Sequence, residues 1–273
     1  MSRPRVTIAI NSYKNPELLR LSLQAVYEHL QAVSFSYEVL VADSATEEVT
    51  DMLMREEFPE VRFFPHRENV GFGRLINRSI DESRGEYIFF MNADIIVQRD
   101  TIPKLLAYAT THPEVGLIGP KQINFNGDTQ ETCYRFYRLI TILYRRTFLG
   151  KLPFGKKHLD WFAYHEYDHQ TPKAVDWVLG SALFCSKANA EKVGPMDSRF
   201  FMYMEDVDWC RRFWKAGHAV VYYPEAVAHH YHARGSARGG FFFSLFMNRL
   251  TWYHIESAIK YFFKYRGEKL PHV

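Results

Sequence analysis

Residues 5–94 alternate short apolar runs with stretches of helical periodicity, and this alternation restricts the fold more than any other feature of the chain. In the helical stretches, apolar side chains recur every three or four residues, as in residues 19–33. Strands that alternate with helices favour a mostly parallel sheet covered on both faces. Four apolar runs are typical of buried strands: residues 5–10, 37–42, 61–64 and 87–91.

Each of the four predicted strands is followed by polar residues. After the strand at residues 61–64, these residues belong to a glycine-containing loop. Ser12, Asp43 and Asp94 each lie just past an apolar run, and residues 69–74 follow another. In sheets of this kind, ligands bind beyond the carboxyl ends of the strands. Four polar signals at one edge are hard to explain by core packing, so we predict a ligand site there.

The second half of the chain is less regular. Residues 115–123 predict one or two strands around Pro120, and residues 175–185 predict a strand with Gly180 at a bend. Residues 218–223 predict a strand, with a second extended stretch at residues 227–232, and residues 241–266 predict an aromatic helix. No internal repeat and no clear domain boundary are visible.

Composition excludes several classes of protein. The net charge of +3 over 273 residues is too small to indicate nucleic-acid binding. Three widely spaced cysteines, Cys133, Cys185 and Cys210, fit a reducing compartment without a disulfide framework. The first residues do not read as a secretory signal, and no apolar run approaches the roughly 20 residues that span a membrane. We therefore expect a cytoplasmic protein.

An acidic stretch follows the apolar residues 200–204. Asp208 and Arg212 are spaced as an i,i+4 ion pair on a helix. Glu205 and Asp206 would lie at the mouth of that helix, where a partly desolvated carboxylate can act as a base. The alternative is that all three acids only stabilise the start of the helix.

Two further motifs at the predicted edge suit a bound diphosphate. Asn92 and Asp94 offer oxygen ligands for Mg²⁺ or Mn²⁺, although the same residues also form ordinary Asx turns. The loop at residues 69–74 brings small residues and backbone N–H groups to a helix start, which is a usual phosphate site. It is not a dinucleotide fingerprint, because Ile76 stands at the third glycine position, and it could be an ordinary connection.

Two basic or histidine-rich stretches remain. On an extended chain, His230 and His232 point to one face and His229 to the other, so a histidine could join Asp94 at a metal; packing alone is the alternative. Residues 135–157 interleave arginine and lysine with aromatic side chains. Such a stretch could rest on an anionic membrane or meet a diphosphate acceptor, or it could be a solvated helical face.

The order of these motifs resembles that of the inverting glycosyltransferases of family 2, and most closely their bacterial rhamnosyltransferase-like branch. The resemblance spans residues 6–236. It includes NSY at residues 11–13, VADS at 41–44, NVGFGR at 69–74, MNAD at 91–94, DWVLGSA at 176–182, EDVD at 205–208 and PEA at 224–226. Two departures stand out: Ser44 replaces the usual Asn, and Asn92-Ala93 replaces a fuller acidic motif.

The resemblance implies a role for each matching residue. Asp206 would be the general base, with Glu205 as second choice, and Asp94 with His230 would hold Mg²⁺ or Mn²⁺. The acceptor side would include Trp177, Gly180 and Ser181. The nucleotide-sugar side would comprise Ser12, Tyr13, Asp43, Asn69, Gly71, Phe72, Gly73, Arg74, Asn77, Asn92 and Asp94.

The resemblance also implies an α/β GT-A fold with a Rossmann-like mixed sheet. Residues 1–240 would form the catalytic domain, with a nucleotide-sugar half (1–120) and an acceptor half (121–240), followed by a helical segment (241–273). The donor would be dTDP-rhamnose, or else a UDP-sugar, and the acceptor a glycan or lipid-linked cell-envelope molecule. Peripheral contact with the inner membrane face and a homodimer are compatible with this assignment. Two other classes stay open from the residues alone: a nucleotidyltransferase and a non-catalytic glycan-binding protein.

Overall fold

A computed structural model describes residues 3–231 and 249–271. The first half contains β1 (Val6–Tyr13), α1 (Pro16–Leu30), β2 (Tyr37–Ser44), α2 (Glu48–Glu57), β3 (Arg62–His66), α3 (Phe72–Glu82), β4 (Tyr87–Asn92), β5 (Ile95–Val97) and α4 (Thr101–Thr111). The second half contains β6 (Val115–Ile123), β7 (Cys133–Tyr134), α5 (Leu139–Arg146), a 3-10 helix (Phe148–Lys151), α6 (Pro153–Phe162), β8 (Lys173–Ala174), β9 (Trp177–Val178), β10 (Ala182–Ser186), α7 (Lys187–Val193), α8 (Glu205–Lys215), β11 (Ala219–His230) and α9 (Arg249–Lys264).

Nine strands of the described chain form one mixed sheet. Eight of them follow the order β3-β2-β1-β4-β10-β6-β11-β5, and β8 pairs with β11. β3, β2, β1 and β4 are parallel neighbours, and β6 is parallel to β11. β10 is antiparallel to both β4 and β6, so six of the nine strands run in one direction. The predicted mostly parallel sheet is confirmed.

Both faces of the sheet are buried, which explains the nearly continuous apolar sequence of its strands. Along β1, Ile8 and Ile10 pack into one core cluster with α1 and α4, while Ala9 faces the other cluster. That second cluster includes Ile76 of α3 and Trp209 of α8. The alternation of side chains across each strand therefore places α3 and α8 on the same face of the sheet.

Several predicted boundaries were wrong for identifiable reasons. β1 continues to Tyr13 because Ser12 and Tyr13 pair with Asp43 and Ser44 of β2. The single strand predicted for residues 175–185 is two strands in different sheets, since β9 pairs with β7 while β10 joins the large sheet. Residues 219–230 instead form one strand, which is irregular where its register shifts on β6.

The C-terminal helix α9 and the residue that follows it contact α8 and the segment that leads into α8. Ser257 Oγ donates to Met202 O at 2.9 Å, and Tyr265 Oη donates to Asp208 Oδ1 at 2.7 Å. Residues 241–248 of the predicted helix and the predicted boundary at residue 240 lie outside the described residues. Within the described ranges, every helix is too short or too polar to span a bilayer.

Candidate active site

A cavity of about 190 Å³ lies at the carboxyl ends of β1, β2 and β4. The structure thus brings together seven of the residues predicted to bind the nucleotide sugar: Ser12, Tyr13, Asn69, Gly71, Phe72, Asn92 and Asp94. Sequence reasoning missed other lining residues, namely Asn11, Asn15, Ser44, Leu75, Ala93 and Met202. Asn11 and Asn15 belong to the polar run after the first apolar residues, which could have indicated them.

Buried polar atoms beside this cavity lack partners. Asn11 Nδ2, Ser12 Oγ and Asp94 Oδ1 form no hydrogen bond with any described residue. Buried polar groups are normally paired, because leaving them without a partner costs free energy. The unpaired atoms therefore mark the cavity as a site for a polar ligand.

Asp43 is completely buried at the end of β2. Neither of its carboxylate oxygens meets a donor with hydrogen-bond geometry among the described residues. Burial raises the pKa of Asp43, and the nearby hydroxyls of Thr46 and Ser12 oppose that rise. Asp43 does not line the cavity, but its neighbour Ser44 does.

The loop before α3 is shaped by side chains of the site. Ser44 Oγ accepts a hydrogen bond from Val70 N at 2.9 Å, and Asn69 Oδ1 accepts one from Gly71 N at 3.0 Å. Gly71 has a φ of +81°, and a Cβ there would lie 2.5 Å from Phe201 O. Ser44 therefore holds the loop in place, and only glycine fits at residue 71.

Asp94 and His230 lie close together although 136 positions separate them in the chain. Asp94 Oδ1 is 3.5 Å from His230 Nε2, and His230 Nδ1 is 2.7 Å from Gln130 Oε1. When Nδ1 carries the proton and donates it to Gln130, the Nε2 lone pair points toward Asp94. His229 faces the other way and contacts Gln98, as predicted; His232 lies outside the described residues.

This pair suits a hard divalent cation that receives its remaining ligands from a diphosphate. A buried carboxylate oxygen that forms no hydrogen bond and an imidazole nitrogen 3.5 Å from it are both suitable donors for Mn²⁺ or Mg²⁺. No cluster of three or more histidine, cysteine, aspartate or glutamate side chains able to hold a metal occurs among residues 3–231 and 249–271. An ion at Asp94 and His230 would therefore depend on oxygen atoms of its ligand.

The acidic stretch opens α8 after strained backbone. Tyr203 and Met204 have φ values of +70° and +67°, which are unusual for residues with side chains. Asp206 Oδ2 accepts a hydrogen bond from Gly180 N at 3.1 Å, and Oδ1 accepts one from Val207 N at 2.8 Å. Burial raises the pKa of Asp206, although its side chain is only half-buried. Asp206 is thus a fixed carboxylate with access to solvent, as a base requires.

The other two acids of α8 have different environments. Glu205 is buried, its Oε2 has no partner among the described residues, and burial and the charge of Asp206 raise its pKa. Asp208 is fully buried and binds Arg212 Nε at 2.9 Å, which confirms the predicted i,i+4 pair. Lys264 at the end of α9 and Tyr265 directly after it also contact Asp208. Asp208 therefore stabilises the fold.

The model of the family described as Glycosyl transferase family 2 matches residues 7–164 of this chain. The chain belongs to that family. An N-acetylglucosaminyl-diphospho-decaprenol L-rhamnosyltransferase of Mycobacterium tuberculosis is 30% identical over 214 residues, which cover 73% of this chain and 68% of the relative. The rhamnosyltransferase WbbL of Escherichia coli K12 is 24% identical over 257 residues, which cover 88% of this chain and 87% of WbbL.

A solved structure confirms the GT-A fold of this family 2 glycosyltransferase. The mannosyltransferase PcManGT of Pyrobaculum calidifontis, determined in complex with GDP-Man and Mn²⁺, superimposes with a TM-score of 0.57 at 19% identity. The match covers 86% of this chain and 59% of that protein. The identity is low, so this similarity shows the fold alone.

Three predicted nucleotide-sugar residues of the family 2 chain lie on α3, away from the cavity lining. Arg74 is exposed, and Gly73 packs so that a Cβ would lie 3.5 Å from Met196 Cβ. The amide of Asn77 donates to Met196 O at 2.8 Å and accepts from Met196 N at 2.7 Å. Asn77 thereby secures the chain ahead of α8. A direct role in binding stays a prediction for all three.

The predicted acceptor residues lie at different depths. Trp177 is only 4% exposed; its Nε1 donates to Arg135 O at 2.8 Å, and its ring stacks on Tyr134 at 4.7 Å. Gly180 contacts Asp206, and Ser181 Oγ donates to Gln122 Oε1 at 2.8 Å. Gly180 is therefore the one of the three that touches the candidate base. Acceptor contacts by Trp177 and Ser181 stay predictions.

Proposed function

We propose that this family 2 glycosyltransferase transfers a sugar from a nucleoside diphosphate donor, with inversion, to a glycan or lipid-linked cell-envelope acceptor. The observation that supports this most is the proximity of the strand-edge cavity to the candidate base. Phe72 lines the cavity, and a Cβ built on Gly180 would lie 3.0 Å from Phe72 Cε1 and 3.2 Å from Asp206 Cβ. A donor in the cavity and an acceptor at Asp206 would then meet near Phe72.

Inversion needs a base and a leaving group on opposite sides of the anomeric carbon. Asp206 takes the proton of the acceptor hydroxyl as its oxygen forms the new bond to that carbon. The bond from the carbon to the diphosphate oxygen breaks at the same time. Asp94 and His230 would hold the divalent ion, which neutralises negative charge on the departing diphosphate.

The names of the two curated relatives favour rhamnose as the sugar, so dTDP-rhamnose is our first candidate donor and a UDP-sugar the second. The name of the Mycobacterium tuberculosis relative specifies a diphosphate-linked lipid carrying N-acetylglucosamine. An acceptor of the same chemical class is our candidate here. A divalent ion is also supported by the Mn²⁺ named for the archaeal mannosyltransferase.

A lipid-linked acceptor would require contact with the inner membrane face, and one surface suits it. Leu139 is 71% exposed and Phe148 is 72% exposed, with Phe154 close by in the chain. Lys151 and Lys156 add positive charge to the same stretch. Exposed apolar and basic side chains together bind anionic bilayers. The chain should therefore sediment with phosphatidylglycerol vesicles and much less with phosphatidylcholine vesicles.

The test of the proposed function is a donor panel read in two ways. Thermal unfolding is measured with dTDP, UDP, GDP and CDP, each with and without Mn²⁺, because a ligand of the folded state stabilises it by about 2.7 kcal/mol at 100 times its Kd. Transfer to a lipid diphosphate carrying N-acetylglucosamine is then followed with the matching donor. We expect a metal-dependent shift with dTDP and formation of rhamnosylated lipid. The absence of any nucleotide effect would contradict the proposal.

A further inference from the structure

Two adjacent arginines at the end of α5 contact uncharged groups. Arg145 is exposed, donates a hydrogen bond to Tyr137 Oη, and places its guanidinium carbon 5.6 Å from the centre of the Phe162 ring. Arg146 is half-buried and contacts His254 Nδ1 of α9. The two arginines therefore lie above an aromatic floor between α5 and α9.

Neither arginine has a carboxylate in direct contact. Among residues 3–231 and 249–271, no carboxylate forms an ion pair with Arg145 or Arg146, and the remaining residues of the sequence include no aspartate or glutamate. Arg135, from the same basic stretch, is instead paired with Glu166. Arg146 is a half-buried positive charge without a carboxylate beside it, which is unfavourable, and the exposed Arg145 adds a second positive charge next to it. The two together suggest an anionic ligand.

The charges of the two arginines affect their surroundings. Burial, and then the charge of Arg145, lower the pKa of Arg146. Burial together with both arginines lowers the pKa of His254 to about 3. His254 is therefore neutral at physiological pH and can face Arg146 without adding a third positive charge.

A chain of aromatic contacts connects the arginine pair with the candidate base. The Tyr137 and His254 rings are 6.5 Å apart, and the His254 and Tyr203 rings are 5.0 Å apart. Tyr203 lies three residues before Asp206, and the charges of Arg145 and Asp206 both act on the pKa of Tyr137. Neither arginine lines the strand-edge cavity. The pair thus belongs to the acceptor side of the site.

We infer that Arg145 and Arg146 bind a phosphate or diphosphate group of the acceptor and so hold its sugar hydroxyl near Asp206. The inference rests on the proposed function. Guanidinium groups bind phosphate oxygens through paired charge-assisted hydrogen bonds, for which a lysine is a poorer substitute. A glycan acceptor without a phosphate would leave both arginines uncompensated.

The test uses farnesyl diphosphate as the probe and the full chain, saturated with dTDP and Mn²⁺ so that the donor site is filled. We expect titration calorimetry to show binding to the wild type, and at least about tenfold weaker binding to Arg145→Gln and to Arg146→Gln. The affinity of Arg145→Lys for farnesyl diphosphate should lie between that of the glutamine variants and that of the wild type. The matched control is Arg55→Gln, an exposed arginine on α2 paired only with Asp51, which should bind as the wild type does. Farnesol should bind far more weakly.

Equal affinity of the wild type and both glutamine variants for farnesyl diphosphate would overturn the inference. So would a loss confined to phosphatidylglycerol vesicles, since the arginines would then bind membrane headgroups. Circular dichroism and the affinity for dTDP show whether each variant is folded. If the wild type bound no nucleotide, the proposed function would fail, and titrations without dTDP would still test the arginine pair.

Discussion

The proposed donor side and the candidate base on the proposed acceptor side differ in how their polar groups are bonded. At the strand edge, Ser12, Asp94 and Asp43 have buried atoms without partners among the described residues. On the acceptor side, both oxygens of Asp206 accept backbone hydrogen bonds. The strand edge thus offers polar atoms that a ligand can bond, whereas backbone groups already fix the candidate base. Ligand binding and chemistry should therefore respond separately to mutation.

The largest expected effect is that of Asp206→Asn. This change keeps the shape of the side chain and removes the proton acceptor, so transfer should fall by about 10³-fold. Turnover is measured with saturating donor and acceptor. The control is Asp100→Asn, an exposed carboxylate near α4, which should retain full activity. An Asp206→Asn enzyme with normal turnover would show that another group is the base.

Gly180→Ala should disturb the acceptor side without filling the donor cavity. Its Cβ would lie 3.0 Å from Phe72 Cε1 and 3.2 Å from Asp206 Cβ, so the carboxylate must move. A displaced base should lower kcat by roughly 10-fold to 100-fold, with little change in nucleotide affinity. The control is Gly217→Ala. A Cβ at residue 217 meets nothing within 4 Å, but its φ is +83°, so this variant should lose stability and keep its kcat.

The pH dependence of transfer should differ from that of nucleotide binding. Burial raises the pKa of Asp206 above its usual value, so the base is protonated, and transfer falls about tenfold per pH unit, below that raised pKa. The affinity for dTDP with Mn²⁺ should not show this fall at low pH. The raised pKa values of Glu205 and Asp206 also mean that the folded chain binds protons more tightly than the unfolded chain. Their contribution to stability therefore declines as pH rises through these values.

The smallest expected effect is that of Asn77→Ala, which tests a structural contact under the site. The change removes two hydrogen bonds to the backbone of Met196 and should lower the free energy of unfolding by about 2 kcal/mol. Urea denaturation measures this. Asn126→Ala, whose exposed side chain bonds only Asp128, should be nearly neutral. If Asn77→Ala instead weakened dTDP binding at unchanged stability, Asn77 would contact the nucleotide.

The sequence predicted which polar residues meet at the strand edge because the signals for that edge are local. A polar residue after an apolar strand lies at the carboxyl edge whichever helices follow, and parallel pairing brings Ser12 beside Asp43. The residues alone suggested that a histidine could join Asp94, but the choice of His230 required the family resemblance, since β5 and β11 are far apart in the chain. The sequence showed only that Ser44 stands where the family motif usually has Asn. That its hydroxyl accepts a hydrogen bond from Val70 N and so holds the loop could not be predicted from this.

The acceptor side was harder to predict because it is assembled from distant segments. The basic stretch predicted contact with an anion or a membrane, but which arginines lack a carboxylate depends on tertiary contacts. Arg135 finds Glu166, whereas Arg146 meets His254 from a helix more than 100 residues away. The resemblance implies that Trp177 belongs to the acceptor side, yet the side chain is buried and stacks on Tyr134.

The most direct test of the two-sided site is a titration of dTDP in the presence of Mn²⁺ into the wild type, Asp94→Asn and Asp206→Asn. We expect Asp206→Asn to bind dTDP within about twofold of the wild type, and Asp94→Asn to bind it at least about tenfold more weakly. We also expect the difference for Asp94→Asn to disappear when EDTA replaces the metal. Equal weakening by both substitutions, or wild-type affinity for Asp94→Asn, would contradict the separation of donor site and base.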